Sequence, residues 1–223
     1  MIVTIDGPAG AGKSTVTRRL ARQLGFQFLD TGAMYRAVTL IALQRQVDLQ
    51  DAAALVHIAK TIEIRFDDDR VFVDDEEVTQ AIRDLSVARN VGKIADQPEV
   101  REHLVQLQRR IANEGNFVCE GRDQGTVAFP DSFCKIYLTA SKQSRAARRF
   151  EQLQASGRFA DYDQVVRDQE VRDHQDATRP IGKLQRAVDA IEVNTDRQTL
   201  DEVVDTLEQI VRQRMDQPQP KPR

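Results

Sequence analysis

Cysteine, histidine, long apolar runs and an excess of either charge are what this 223-residue chain lacks. Only two cysteines occur, Cys119 inside an apolar run and Cys134 just ahead of another. That usage suits two small core hydrophobes in a reducing compartment; a bridge between them is the alternative. The three histidines, His57, His103 and His174, are scattered without ligand spacing, which argues against a structural metal. No apolar stretch approaches the roughly 20 residues of a membrane span. A strand holding Asp6 occupies the N-terminus, where a signal peptide would place its apolar region. Lys and Arg number 32 against 35 Asp and Glu, a net charge of −3, so nothing global favours nucleic acid or a membrane surface as partner. A soluble cytoplasmic protein with one main core is expected.

What is present begins at once. The alternating run Ile2-Val3-Thr4-Ile5-Asp6 reads as a strand, and Gly7-Pro8-Ala9-Gly10-Ala11-Gly12-Lys13-Ser14-Thr15 follows it into an amphipathic helix. This is a complete G-x-x-x-x-G-K-[ST] loop in the strand-to-helix setting that the motif needs. Glycines at 7, 10 and 12 let several N–H groups turn toward one anion. The helix start adds unpaired N–H groups and its positive dipole end, Lys13 can reach the β- and γ-phosphates, and the Ser14 hydroxyl can ligate Mg²⁺. ATP binding is the expectation, with Gly7, Pro8, Ala9, Gly10, Ala11, Gly12, Lys13, Ser14 and Thr15 as its cradle.

Val16, Leu20 and Leu24 continue that helix to Gly25, and Phe26–Leu29 reads as the next strand. Asp30-Thr31-Gly32 is expected to break it before a helix from Ala33 to about Gln46, placing Asp30, Thr31, Tyr35 and Arg36 at a strand's carboxyl end, where open α/β sheets bind ligands. After a short helix between 48 and 61 the pattern changes. Ile62–Phe66 and Val71–Val73 alternate around Asp67-Asp68-Asp69, so a hairpin is expected within an inserted subdomain. A helix from Val78 to Ala88, a polar stretch at Asn90–Lys93 and a long helix from Pro98 to Asn113 follow. Phe117–Cys119 then feeds the polar strand end Glu120–Thr126.

Lys135–Thr139 is the next strand, and the helix after it sets Arg145, Arg148 and Arg149 on one face. From Gly157 to Arg186 charge is dense, including Arg158, Arg172, Asp176 and Arg179; Thr178-Arg179-Pro180 and Gly182 break the helical pattern, which favours a cationic flap over a plain surface helix. Ala190–Asn194 is a core strand and Thr199–Arg214 a final amphipathic helix. Residues 216–223 are expected to be disordered. Alternating strands and helices predict a three-layer α/β/α fold around a parallel sheet, decorated by the hairpin and a helical lid.

Arg36, Arg101, Arg122, Arg148, Arg149, Arg172 and Arg179 join Lys13 near the expected ligand-binding ends, more cations than one triphosphate needs. They imply a second anionic substrate and phosphoryl transfer by positioning and charge neutralisation. A phosphate monoester acceptor carries an ionised oxygen and needs no general base, whereas a hydroxyl acceptor would want a carboxylate such as Asp30 or Asp123. A slow nucleotide switch would want a guanine-reading N-K-x-D motif; Asn194-Thr195-Asp196 does not replace it.

The run Thr4–Thr15, the block Asp30-Thr31-Gly32-Ala33-Met34-Tyr35-Arg36, the segment Pro98–Arg101 and the block Glu120-Gly121-Arg122-Asp123-Gln124-Gly125-Thr126 through Asp131 resemble bacterial cytidylate kinases across nearly the whole chain. The resemblance implies a nucleoside monophosphate kinase transferring phosphate from ATP with Mg²⁺ to CMP or dCMP, with Lys13, Arg122, Arg172 and Arg179 in catalysis and Arg148 and Arg149 toward ATP. It implies an acceptor phosphate on Thr31, Arg36 and Arg122, cytosine on Arg101 and Asp123, ribose on Arg172 and Asp176, Tyr35 among the CMP-binding residues, and Arg179 reaching the phosphates. It also implies one kinase domain over 1–223, with a monophosphate-binding insertion at 62–100, a lid at 157–186, and a monomeric state. Two stretches depart from the family pattern. Gly92 stands where the family often has serine, which shifts discrimination against UMP onto Asp123, and Pro180-Ile181-Gly182-Lys183-Leu184 replaces the usual sequence after Arg179.

Overall fold

The opening apolar run forms strand β1 (Ile2–Asp6), whose last four residues are buried, as expected of a strand covered on both faces. The computed structural model describes residues 1–155, 157 and 159–216; Arg158 and the tail from 217 onward lie outside them. Along the chain follow α1 (Lys13–Leu24), β2 (Gln27–Asp30), α2 (Thr31–Gln44), α3 (Ala52–Thr61), β3 (Ile64–Asp67), β4 (Arg70–Val73), β5 (Glu76–Glu77), α4 (Leu85–Ala95) and α5 (Pro98–Ala112). Then come β6 (Phe117–Gly121), a π-helical turn (Gln124–Ala128), β7 (Cys134–Thr139), α6 (Lys142–Ala155), α7 (Tyr162–Thr178), β8 (Ile191–Asn194) and α8 (Leu200–Met215). The α/β class and the parallel sheet expected from the alternating pattern are what the chain adopts.

Two compact units emerge. The first comprises Met1–Phe28, Gly115–Thr178 and Gly182–Arg223, and the second Leu29–Glu114 with Arg179–Ile181. The first is built on a five-stranded sheet in the order β2-β6-β1-β7-β8. β1 pairs in parallel with both β6 and β7, and β7 with β8. Central placement of β1 delivers the loop after it to the middle of the sheet's carboxyl edge. Val3, Ile5, Ile136 and Leu138 pack with Val16 and Leu20 of α1 and with Val204 and Leu207 of α8. The helical stripe read from the sequence is thus the buried face. Gly25 closes α1 in the left-handed conformation, and a capping box between Thr199 and Glu202 starts α8. Cys119 and Cys134 are both buried free thiols, so no bridge joins them. Burial pushes both thiols up, Cys134 to about 11.

The second unit packs α2 on α4 and α3 on α5 beside a three-stranded antiparallel sheet in the order β3-β4-β5. Met34, Leu55, Ile58, Ile82, Ile94 and Leu104 form its fully buried interior. The expected hairpin is present, with a third short strand that two successive glutamates did not announce. Element boundaries also differ: the helix expected from Val78 starts only at Leu85, as α4, after a single 3-10 turn at Ala81–Arg83. The α2 helix starts at Thr31 rather than Ala33, because the Asp30 carboxylate accepts the Ala33 N–H at 2.9 Å and caps it. The α4 helix runs straight through Asn90–Lys93, since Val87 and Ile94 anchor its buried side on either flank of Gly92. The charged segment is one regular helix, α7, from Tyr162 to Thr178, and turns irregular from Arg179. Among the described residues no helix is long and apolar enough to cross a membrane.

Candidate active site

The loop after β1 is shaped by two close approaches. Gly7, at φ +151°, lies so near β7 that an added Cβ would fall 2.0 Å from the Leu138 carbonyl oxygen, and one on Gly10 would come 3.1 Å from the Arg145 Cβ. Gly12 then caps α1 in the left-handed conformation without a side-chain acceptor. The N-cap thus supplies no acceptor for the first-turn N–H groups, which lie at the positive end of the helix dipole, a setting that suits an anion. Lys13 is buried, and its ammonium donates to the Gly7 and Pro8 carbonyl oxygens at 2.7 and 2.8 Å. Its pKa is held well below the ordinary lysine value, first by burial and next by the positive charge of Arg122, with Arg172 adding to it; Glu120 and Asp6 oppose the shift. Ser14 and Thr15 are exposed at the first turn.

β6 delivers the second group of charges. Glu120 and Asp123 are buried, and Arg122 donates from Nε to Asp176 Oδ2 of α7 at 2.7 Å and from Nη1 to its neighbour's carbonyl, Gly121 O, at 3.3 Å. Burial works against the Arg122 charge, but Asp176, with help from Glu120 and Asp6, more than offsets it and raises its pKa. The turn that follows is tied to β1: Asp6 accepts the Gln124 N–H at 2.9 Å on one carboxylate oxygen and the Gly125 N–H at 2.8 Å on the other. Burial pushes the Asp6 carboxyl up to about 6, against the lowering effect of those two hydrogen bonds. The Asp123 carbonyl accepts from Val127 and Ala128, which fixes the backbone of the Arg122–Asp123 pair.

The arginines of α6 share a face but not a function. Arg145 is buried and forms two hydrogen bonds with Asp173 of α7. Arg148 donates to the Thr195 hydroxyl and carbonyl at 2.9 and 2.8 Å, and its Nη1 lies 3.9 Å from where a Gly12 Cβ would sit, close to the phosphate loop. Arg149 is exposed and reaches Gln152 at 3.5 Å.

The second unit carries the other expected site residues. Asp30, besides capping α2, pairs with Arg36 at 2.8 Å, so a base role in hydroxyl transfer competes with two fixed commitments. Thr31 is buried beside it. A Cβ on Gly32 would lie 3.0 Å from Arg36 Nη1 and 3.2 Å from Asp30 Oδ1, so a side chain there would crowd the Arg36–Asp30 pair. Arg101 is buried, with its guanidinium 5.4 Å from the Tyr35 ring centroid, a stacking arrangement that orients the fork. Arg179 donates from Nε to Asp96 Oδ1 at 2.6 Å, where α4 ends. At Gly92 an added Cβ meets open space, so no steric demand keeps serine from that position.

The first unit thus brings Lys13, Arg122, Asp123, Arg148, Arg172 and Asp176 together with the loop Gly7–Thr15, while Thr31, Tyr35, Arg36, Arg101 and Arg179 belong to the second. Asp6 and Glu120 are buried carboxylates beside the phosphate loop that motif reading passed over. Their signal was present: an ionisable residue closing an otherwise apolar strand, at the sheet end where ligands bind.

The family model for cytidylate kinase matches residues 3–213 of the chain. The chain is 46% identical over 213 residues to the cytidylate kinase of Rhodopirellula baltica, covering 96% of this chain and 93% of that protein. It is 46% identical over 215 residues to that of Mycobacterium leprae, covering 96% of each. Among solved structures it is similar in fold to a gluconokinase from Sinorhizobium meliloti, with TM-score 0.50, 15% identity and coverage of 95% of this chain and 91% of that one.

Proposed function

The chain belongs to the cytidylate kinase family, and we propose that it moves the γ-phosphoryl of ATP to CMP or dCMP by positioning and charge neutralisation without a general base. The products are ADP and CDP or dCDP. One observation carries the mechanism: Lys13 is buried at the glycine-rich loop with its pKa lowered chiefly by that burial, and Arg122 and Arg172 lie near enough to lower it further. Like charges gathered at a glycine-rich loop repel until a polyanion joins them, so the cluster is built to be completed by phosphate. The transition state spreads negative charge over the transferred oxygens, and Lys13, Arg122 and Arg172 meet it with charge already in place. Lys13 would leave the loop carbonyls for the phosphates as ATP enters. The acceptor's phosphate oxygen is ionised at neutral pH and attacks unaided.

The remaining roles are proposed residue by residue. Gly7 to Thr15 cradle the triphosphate, with Arg148 and Arg149 toward the ATP side. Thr31, Arg36 and Arg122 hold the acceptor phosphate. Arg101, steadied by Tyr35, donates to cytosine O2 and N3, and the Asp123 carboxylate accepts from the N4 amine. Arg172 and Asp176 take the ribose, and Arg179 reaches the phosphates. Residues 62–100 serve as the monophosphate-binding insertion and 157–186 as the lid of a single kinase domain, working as a cytoplasmic monomer. Ser14 offers one exposed, hard hydroxyl oxygen beside the phosphate loop. That fits Mg²⁺, which arrives with triphosphate and keeps most of its ligands from phosphate and water. Bound there, the ion would neutralise charge on the β- and γ-oxygens.

The test is a coupled assay of ATP consumption with CMP, dCMP, UMP, AMP and shikimate as acceptors. Highest turnover is expected with the two cytidine nucleotides; a preference for any other acceptor would overturn the assignment.

A further inference from the structure

None of the roles above uses Arg145, although its engagement is extensive. Only 4% of it is exposed, and its guanidinium is spent on three separate pieces of the first unit. Nε donates to Ala140 O at 3.2 Å where β7 ends, and Nη1 donates to Ala9 O in the phosphate loop at 2.9 Å. Nη1 and Nη2 together grip Asp173 of α7, at 2.9 and 2.7 Å. The loop backbone presses on the same side chain through Gly10, whose Cα leaves no comfortable room for a methyl group against Arg145. Asp173 precedes Asp176 by three residues, one turn of the same helix face, and Asp176 holds Arg122. Arg122 stands next to the turn that Asp6 ties back to β1, and β1 runs into the loop. Side-chain bonds and backbone together close a ring: Ala9 to Arg145, Arg145 to Asp173, along α7 to Asp176, across to Arg122, along the chain to Gln124, and from Gln124 to Asp6 and back to the loop.

A salt bridge that merely clamps α6 to α7 would account for Arg145 and Asp173, but it has no need of Ala9. Nη1 is shared between the loop carbonyl and the α7 carboxylate, and the guanidinium is a rigid plane. A displacement of Ala9 therefore rotates the fork that Asp173 accepts from. We propose that Arg145 is a positioning residue that couples the phosphate loop to α7, so that the loop's conformation sets the placement of Arg172 and Asp176. Donor binding then prepares the acceptor side of the reaction. The coupling rests on the acceptor roles proposed for those two residues.

The measurement is steady-state KM for ATP and for acceptor, separately, in Asp173→Asn, Arg145→Lys and the double variant. Asp173→Asn leaves Arg145 its bonds to Ala9 and Ala140 and loosens only α7, so the acceptor KM is expected to rise at least about tenfold, with the ATP KM within about twofold. Arg145→Lys raises both. The double variant is expected to raise the acceptor KM no further than Arg145→Lys, because both act through one link, and Asp173→Glu to recover part of the loss. Equal shifts in the two KM values, additive effects, or a fall in kcat that only tracks the folded fraction would mean a plain clamp and overturn the proposal. Should Asp173→Asn fail to fold, hydrogen exchange on the unaltered protein decides. ADP protects the 7–15 amides on binding, and slowed exchange is also expected over 170–178, where an unchanged rate refutes the coupling. The acceptor panel is run first on the parent protein. If it favours another acceptor, the cytidine assignment fails by itself, and the KM split is read with the preferred acceptor.

Discussion

Replacing Gly7 by alanine tests how the phosphate loop is held against the sheet. Two costs arise. A non-glycine residue at φ +151° is strained by about 1–3 kcal/mol. Its Cβ would in addition fall 2.0 Å from the Leu138 carbonyl oxygen, and that atom is backbone of β7, paired with β8 through Val193. Relief requires moving β7, an interior strand of the five-stranded sheet, or the loop itself by more than an ångström, and interiors packed at crystal density do not yield that far without loss elsewhere. A total of about 4 kcal/mol or more is expected, in the range reserved for severe lesions. For a chain of this size 1 kcal/mol shifts Tm by roughly 2–4 °C, so Gly7→Ala is expected to melt about 8–16 °C below the parent. Gly25→Ala is the control: φ there is +66°, with nothing within 4 Å of an added Cβ, so only the left-handed penalty of about 1–2 kcal/mol applies. Thermal unfolding followed by circular dichroism, with ATP binding measured on the folded protein, reads both variants. A Gly7→Ala Tm within 3 °C or so of the parent, or equal to that of Gly25→Ala, would refute the reasoning from close approach.

Asp6 predicts a pH effect of defined sign. Its carboxyl titrates near 6 in the fold against 3.8 as its ordinary value, chiefly from burial, so between those pH values the native state holds a proton that the unfolded chain has released. Its contribution to stability is therefore largest below pH 4 and declines by about 3 kcal/mol as pH rises past 6; denaturant titrations of parent and Asp6→Asn should diverge across that window, and a pH-independent difference would contradict it. With Asp123 accepting from the cytosine amine as proposed, Asp123→Asn loses the carboxylate charge and one acceptor oxygen and gains an N–H donor able to meet a uracil carbonyl, so CMP over UMP selectivity should fall at least about tenfold, and unchanged selectivity would remove Asp123 from base recognition. Thr199→Ala deletes the hydroxyl that accepts the Glu202 N–H at the start of α8, far along the chain from any site residue. It should cost about 1 kcal/mol in stability and leave kcat and both KM values unchanged, which the same assay checks.

Which parts of this protein could be read without coordinates follows from how far each interaction reaches along the chain. The loop proposed as the phosphate cradle was legible because its backbone, with positive φ at Gly7, Gly10 and Gly12, is specified by one contiguous run of residues. The helices α1, α5 and α8 were legible for a similar reason, since Val16, Leu20 and Val100, Leu104 repeat at the helix's own period. Asp30 was misread as a break because an N-cap residue has extended backbone and yet begins a helix, so its side-chain bond to Ala33 decides the boundary. Asn90–Lys93 was misread for the opposite reason: Asn and Gly lower helix propensity locally, and packing of Val87 and Ile94 overrides them. Contacts between distant side chains leave no periodic trace. Asp6 meets Gln124 across 118 positions and Arg145 meets Asp173 across 28. A guanidinium and a carboxylate need only reach, not spacing, and arginine is frequent enough in this chain that proximity in sequence selects no pair. Arg179 makes the same point, for its position after α7 suggests company with that helix while its partner is Asp96, 83 residues earlier. A glycine-rich loop proposed to bind phosphate through its backbone is therefore visible as a motif, and the side chains that hold such a loop in place become visible only once the sheet has brought its strand ends together.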